Sequence, residues 1–489
     1  MARWVEAVWK PDLSLPGGRR ARQSFTYRAF VPGELDAAGL TFTAATAADI
    51  ADAEAAIAVA DRGEHLVAME ILSRLLLRSE SVASSRIEGL VCSQRRLAEA
   101  AFAPEHAGET ARQVLANIAA MRRAIEIGAG RSELTVDDIL EMHAILMRED
   151  RAAARHAGVF RTQQNWIGGR SDSPREAAFV PPPPRYVEPL MRNLVAFLNR
   201  DDLPTLAQAA IAHAQFETIH PFVDGNGRVG RCLIHTVMAR RTLASKVLVP
   251  VSLVLAAQGD RYIEGLVDFR EGHVDEWCGG FAAAAKLAID GTTRFEQELA
   301  AMISRWRIES QARPSSHLWA ACERTAVTPV FTVASLSDDL GCSTTAATEV
   351  VERLEQIGTV AQVSLGKRNR VYLNRAVLRL LDDFERYLLT DGDGESGKLP
   401  VSARAKTAIP PPVLPSVEHA VLELFPVGAG PASATTLAGI TGFRGDQIRP
   451  VMRRFAEDGL VTATDDRHWE LSSKGHRLRA MLRAADHRR

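Results

Sequence analysis

What the chain has little of narrows it first. Its five cysteines (Cys92, Cys232, Cys278, Cys322, Cys342) are odd in number, far apart and never form a CxxC pair. Neither a zinc site nor a redox dithiol is therefore expected, and the residues read as reduced, mostly buried thiols. Neither sign of charge is in excess, with 59 Lys+Arg against 60 Asp+Glu, so bulk charge names no partner. The opening MARWVEAVWK is interrupted by Glu6 and Lys10 and lacks the apolar core of a signal peptide. The most apolar later stretch, KVLVPVSLVLAAQ, contains Pro250. It runs for about a dozen residues, where a bilayer span needs about 20. A soluble, cytoplasmic protein with no membrane contact is the expectation. Short-period repeats are also missing.

What is there is long and patterned. A chain of 489 residues exceeds what one core usually serves, and roughly three domains are expected. Residues 1–45, punctuated by Pro11, Pro16, Gly17, Gly18, Pro32 and Gly33, read as an extended lead-in packed on the core. From 46 to 308 apolar residues recur at three and four, which predicts helices over 51–62, 67–84, 111–128, 136–148, 187–199 and 205–219. One interruption, NWIGGRSDSPREAAFVPPPP, predicts a β-hairpin flap over 165–184. The expected fold class is thus mainly α, with a small flap. Residues 317–388 follow the helix, turn, helix, two-strand order of a winged helix, with Gly341, Gly358 and Gly366 at the joints. A linker over 389–415 precedes a second winged-helix-like unit over 416–485.

One window gathers unusual chemistry: HPFVDGNGRVGR, His220 to Arg231. Pro221 must end the helix before it. Gly225, Asn226 and Gly227 then make a tight turn into a new helix, and such a turn presents unpaired N–H groups and a positive dipole end to an anion. Arg228 and Arg231 share one side of that helix, where each guanidinium can fork onto phosphate oxygens. Asp224 is a hard oxygen ligand suited to Mg²⁺ beside phosphate. His220 has the chemistry to take a proton from an incoming hydroxyl at neutral pH, and Phe222 reads as a core anchor. Each residue alone has an ordinary structural explanation. The joint pattern H-x-F-x-[DE]-G-N-G-R-x-x-R is expected by chance in such a chain on the order of 10⁻⁸ times.

This window resembles the signature of the Fic family at every fixed position, and the flap and lead-in are similar to that family as well, so the resemblance covers about residues 1–300. It implies a mainly helical domain that transfers AMP from ATP to a Ser, Thr or Tyr hydroxyl of a target protein. His220 would be the general base, Asp224 would hold Mg²⁺, and Gly225, Asn226 and Gly227 would cradle the phosphates. Arg228 and Arg231 would take the outer ones, and the flap would align the target by strand addition. SSRIEG, Ser84 to Gly89, resembles the family's inhibitory motif [ST]-x-x-x-E-[GN] and closes a helix over 67–89. By that resemblance Glu88 competes with the γ-phosphate for Arg231. Tyr262, in DRYIEGL, stands where the family has a tyrosine pair lining the adenine pocket, although Arg261 replaces the first of the two.

Other outcomes fit the same residues: removal of AMP by the same site, transfer of another phosphate-containing group, or a DNA-binding regulator with a Fic sensor domain. The presumed recognition helix over 343–358 carries Glu349, Glu352 and Glu355 against Arg353, while the wing offers Lys367, Arg368 and Arg370. The second unit sets Arg444, Arg449, Arg453 and Arg454 against Asp446, Glu457 and Asp458. Target recruitment or self-association is favoured over DNA for these units.

Overall fold

The computed structural model describes residues 2–10, 23–35, 40–63, 67–130, 133–150, 154–169, 173–363 and 370–389, and short stretches between 432 and 471. The chain divides into two compact units, Met1–Val401 and Ser402–Arg489.

The lead-in is more regular than its punctuation suggested. β1 (Arg3–Trp9) pairs antiparallel with β2 (Phe25–Val31), in register from Arg3 opposite Val31 to Trp9 opposite Phe25. Burial alternates along β1 and the first half of β2, as period-two side chains require, while Ala29, Phe30 and Val31 at the end of β2 are all buried. Trp4 meets Phe30 edge-on at 5.2 Å across the pair.

The body is helical, as expected. Its elements are α1 (Ala44–Arg62), α2 (Met69–Ile87), α3 (Gln94–Phe102), α4 (Glu109–Ala129), α5 (Val136–Met147), α6 (Val187–Leu198), α7 (Thr205–Ile219), α8 (Asn226–Arg240), α9 (Val251–Ala257), α10 (Gly259–Glu271) and α11 (Val274–Glu309). α7 matches its predicted range. α1 starts earlier than residue 51 because Thr43 caps it, accepting from the Thr46 amide, while Asp275 at the start of α11 accepts from both the amide and the hydroxyl of Thr43. α7 is buried on every side, and the alanines along it let neighbours approach closely: Trp277 of α11 donates to Ala210 O at 2.8 Å. α8 is buried from Asn226 to Ala239, so the second half of the 220–231 window lies inside the bundle.

The flap is smaller than expected. Among the described residues its pairing is one antiparallel bridge, Ile167 with Phe179. Gly168 and Gly169 both adopt positive φ, which turns the chain at once. Pro181 to Pro184 carry no N–H with which to extend a ladder. The flap is nonetheless anchored, because Phe30 of β2 donates to Val180 O at 2.9 Å.

After α11 come α12 (His317–Val327), β3 (Val330–Thr332), α13 (Val333–Leu340), α14 (Thr344–Gln356), β4 (Val360–Gln362), β5 (Val371–Asn374) and α15 (Arg375–Leu389). The three strands are antiparallel in the order β3-β5-β4. Gly341 and Gly358 end α13 and α14 with positive φ. This region belongs to the same compact unit as the bundle. Gly366, the wing residues Lys367 and Arg368, and the linker from 390 onward lie outside the described residues, and Arg370 is exposed. In the second unit β6 (Ala432–Ser433), β7 (Val461–Asp465) and β8 (His468–Leu471) pair in the order β6-β8-β7. Arg444, Arg449, Arg454, Asp446, Glu457 and Asp458 fall outside the described residues, and Arg453 is exposed.

Among the described residues no helix is long and apolar enough to cross a membrane. All five cysteines are unpaired, four of them buried.

Candidate active site

α7 stops at His220, whose backbone is left-handed, with φ 50°. A non-glycine residue pays a steric penalty there and needs to be held. Arg161 holds it: Nε donates to His220 O at 2.8 Å, and Nη2 reaches Pro182 O and Ile219 O at 2.5 and 3.4 Å. The Arg161 amide also donates to Pro221 O at 2.9 Å. Asn165 adds bonds from Nδ2 to His220 O and Phe222 O at 3.4 and 2.9 Å.

The loop is then closed by Asn226. Its Oδ1 accepts from Phe222 N at 2.8 Å and its Nδ2 donates to Phe222 O at 2.9 Å. Its side chain thus shapes the turn, while its backbone amide stands in the first turn of α8 with that of Gly227. Phe222 is buried, as expected, and stacks on His143 at 3.7 Å and 6°. His143 Nδ1 accepts from Gly158 N at 2.9 Å, so the proton is on Nε2, which donates to Asp224 O at 3.1 Å. Burial pulls the His143 pKa down to about 4, which keeps this tautomer neutral.

Gly225 caps α8 with φ 79°, and the first turn of that helix opens onto Glu88. A Cβ on Gly227 would lie 1.9 Å from Glu88 Oε1. The carboxylate therefore occupies the space a side chain at 227 would fill, at the positive end of the α8 dipole. Arg231, fully buried, binds the same segment three ways: Nε to Ser84 Oγ at 2.9 Å, Nη2 to Ser84 O at 2.8 Å, and Nη2 to Glu88 Oε1 at 2.8 Å. Burial opposes both charges, yet Arg231 holds the Glu88 carboxyl below its ordinary pKa, and Glu88 raises that of Arg231. One turn further along, Glu80 accepts from His235 at 2.8 Å and from the Ser252 amide at 2.8 Å. Glu80, Ser84 and Glu88 on α2 thus face His235 and Arg231 on α8, a buried polar ladder that fixes how the two helices register.

α2 ends in a Schellman turn. Gly89, with φ 78°, donates to Arg86 O at 2.9 Å, and Leu90 donates to Ser85 O at 2.9 Å. Glu88 is the C-cap, and Gly89 is the residue that lets the chain turn just after it.

Arg228 is buried, its Nη2 3.3 Å from Asp224 Oδ2, while its Nε has no hydrogen-bond partner among the described residues. The Asp224 side chain is 53% exposed at the mouth of the site, an open oxygen donor beside the anion position. The His220 side chain is 19% exposed with its Nδ1 buried, and burial, with Arg161 beside it, pulls its pKa down to about 4. It is neutral at pH 7 and less basic than the sequence suggested. Glu217, a turn before it, is pushed up to about 8 by burial. Tyr262 is buried among His213 and Trp277, and its hydroxyl lies 2.9 Å from His213 Nε2 and against Arg231. It therefore backs the Arg231 guanidinium as a core residue.

The structure gathers Ser84, Glu88, Gly227, Arg228 and Arg231 at one helix terminus, with His220 and Asp224 on the loop leading to it. Sequence reasoning missed Arg161, Asn165 and His143, which hold the loop from 55 to 81 positions away from their partners in it. Nothing in their local sequence marks them.

Residues 133–238 match the Fic/DOC family model, and residues 47–126 match the Fic/DOC family N-terminal model. The chain is 30% identical over 199 residues to the protein adenylyltransferase fic-1 of Caenorhabditis briggsae, a match covering 38% of this chain and 36% of that one. It is 36% identical over 99 residues to a probable protein adenylyltransferase of Aquifex aeolicus, covering 20% of this chain and 28% of that one. The chain thus spans about a third of the length of these relatives. A Fic family protein from Desulfovibrio desulfuricans G20 superposes with a TM-score of 0.44 at 19% identity, over 68% of this chain and 97% of that chain.

Proposed function

Because the chain carries a Fic domain together with the family's N-terminal region, we propose that it moves AMP from ATP to a Ser, Thr or Tyr hydroxyl of a target protein, releases pyrophosphate, and is held off by Glu88. The observation that carries this reading is the Glu88 carboxylate over Gly227, bound to Arg231 at 2.8 Å. A helix N-terminus flanked by two buried arginines is an anion site, and here an internal anion fills it.

With Glu88 withdrawn, the α8 amides, Arg228 and Arg231 take the outer phosphates of ATP. Asp224 suits Mg²⁺, which prefers a carboxylate plus waters, and its exposure at the mouth leaves room for both. The ion, when bound, neutralises charge on the phosphate oxygens. The target hydroxyl oxygen bonds the α-phosphorus as its proton passes to neutral His220. The bond from that phosphorus to the bridging oxygen breaks, and pyrophosphate leaves. Negative charge brought by ATP raises the basicity of the imidazole from its low resting value. The flap near Ile167 lies on the chain segment that Arg161 ties to His220, so a target strand added there would be aligned with the base. Five unpaired thiols fit a reducing, cytoplasmic setting.

The DNA-binding alternative finds little support in α14. Glu349 and Glu352 are exposed, whereas Arg353 turns inward to donate to Ser310 O at 3.0 Å.

The deciding test is incorporation of label from α-labelled against γ-labelled ATP by the Glu88→Gly protein, with an inactive His220 variant as control. Label from the α position alone, lost in the control, is expected. No label from either position while ATP binds would sink transfer and leave AMP removal or a sensor domain.

A further inference from the structure

Arg86 lies inside the inhibitory segment yet points away from the anion site, towards α15. Its Nη2 sits 2.9 Å from Glu385 Oε2. Glu385 is buried, and its other oxygen accepts from Gln94 Nε2 of α3. Gln94 in turn accepts from Arg78, a half-buried arginine two turns before Arg86 on α2. Asp382, one turn before Glu385, adds a second negative charge facing Arg86 and Arg78. An exposed ion pair would contribute little. This one has a buried carboxylate with three polar partners in a chain, so breaking it leaves charge uncompensated.

α15 is itself firmly placed. Phe384 packs on Phe295 of α11 at 4.7 Å, and Leu388 sits against Gly291, where a Cβ would come within 2.7 Å of Leu388 Cδ2. The helix follows β5 with no loop between. Asn374 at that joint donates from its amide to Pro329 O at 2.8 Å and from Nδ2 to Thr325 Oγ1 at 3.3 Å. The joint between β5 and α15 is thereby tied to α12 and to the turn before β3.

We infer that Glu385 is a positioning residue for the inhibitory carboxylate: through Arg86 it pins the last turn of α2, and so makes the region 317–389 an input to the active site. The last turn of a helix is where fraying starts. Glu88 is the C-cap of that turn, two residues beyond the pinned Arg86. The Schellman bonds hold its backbone, and the Arg86–Glu385 pair holds the turn against α15. Displacing α15 frees the turn, and Glu88 then leaves Arg231 more often. For its activity readout this inference rests on the transfer reading above.

The test uses the full chain with Glu385→Gln and Arg86→Gln, each alone and combined with Glu88→Gly. Two quantities are read: α-label incorporation, and hydrogen exchange of the amides of residues 85–90 compared with those of α8. Each single variant should raise labelling on the order of tenfold, about 1.4 kcal/mol. Exchange should quicken over residues 85–90 and not in α8, and neither variant should add to the rise given by Glu88→Gly. Unchanged labelling and exchange in both variants would overturn the inference. So would an equal effect with and without Glu88, which marks general destabilisation. If Glu88→Gly itself takes no α-label, the transfer reading has failed, and exchange over residues 85–90 alone decides the positioning role.

Discussion

Two arginine–carboxylate pairs flank the last turn of α2, and their burial is inverted. In Arg231–Glu88 the arginine side chain is 1% exposed and the carboxylate 29%, whereas in Arg86–Glu385 the arginine is 30% exposed and the carboxylate 6%. The buried member is the fixed one in each case, and the partly exposed member can be exchanged for solvent or for another ion. Around Arg231 the replaceable partner is an anion, which is what a phosphate needs. Around Glu385 the replaceable partner is the cation carried by α2 itself. The first pair is built to change occupants and the second to hold or release a helix end.

The comparison is sharpened most by Glu88→Gly. Emptying the exchangeable seat should raise α-label incorporation on the order of 100-fold. A variant no more active than the parent would mean that the two pairs do not differ in kind. Arg231→Gln removes the fixed member instead and leaves Ser84 and Glu88 facing a buried gap. It should lower unfolding free energy by about 3 kcal/mol in a denaturant titration, and Glu88→Gly should not restore its activity.

A third measurement bears on the base. In Glu88→Gly the acid limb of kcat/KM, which reports the free enzyme, should fall at or below about 4, because burial and Arg161 lower the His220 pKa and Glu88 is one of the groups that raise it. A limb near the ordinary imidazole value would contradict that depression. Stability carries the same sign: His143 and His220 stay neutral in the fold down to about 4. Their contribution is therefore complete above about 6.5, the unfolded value. It is lost as pH falls from there through about 4, and the thermal midpoint should drop over that window. The smallest effect is expected from Ser84→Ala, which removes one hydrogen bond to Arg231 while the Ser84 carbonyl still accepts from it. Derepression of a few-fold, about 1 kcal/mol, should be measurable by labelling.

The site was legible where its parts lie close in sequence. His220 to Arg231 is one window, and helix geometry alone puts Arg228 and Arg231 on the side that faces the turn. α7 was legible because a continuous apolar pattern runs into Pro221. The supports were not: Arg161 and Arg86 look like ordinary surface arginines, and Glu385 lies 299 positions from Arg86. What the Asn226 side chain does was not legible, because a tight turn and a ligand cradle ask for the same residue, and only the bonds to Phe222 show that this side chain closes the loop. The β1–β2 pair escaped because pairing partners are non-local. The single flap bridge fell short of a hairpin because proline and paired glycines override the apolar signal.

The left-handed backbone of His220 has a practical corollary for engineering. Alanine there would both delete the imidazole and carry a β-carbon in a region that favours glycine and asparagine. Its inactivity would then mix lost chemistry with a relaxed loop. His220→Asn accepts that backbone at low cost, so it is the inactive form that should keep binding nucleotide as the parent does, and the better trap for a bound but unmodified target.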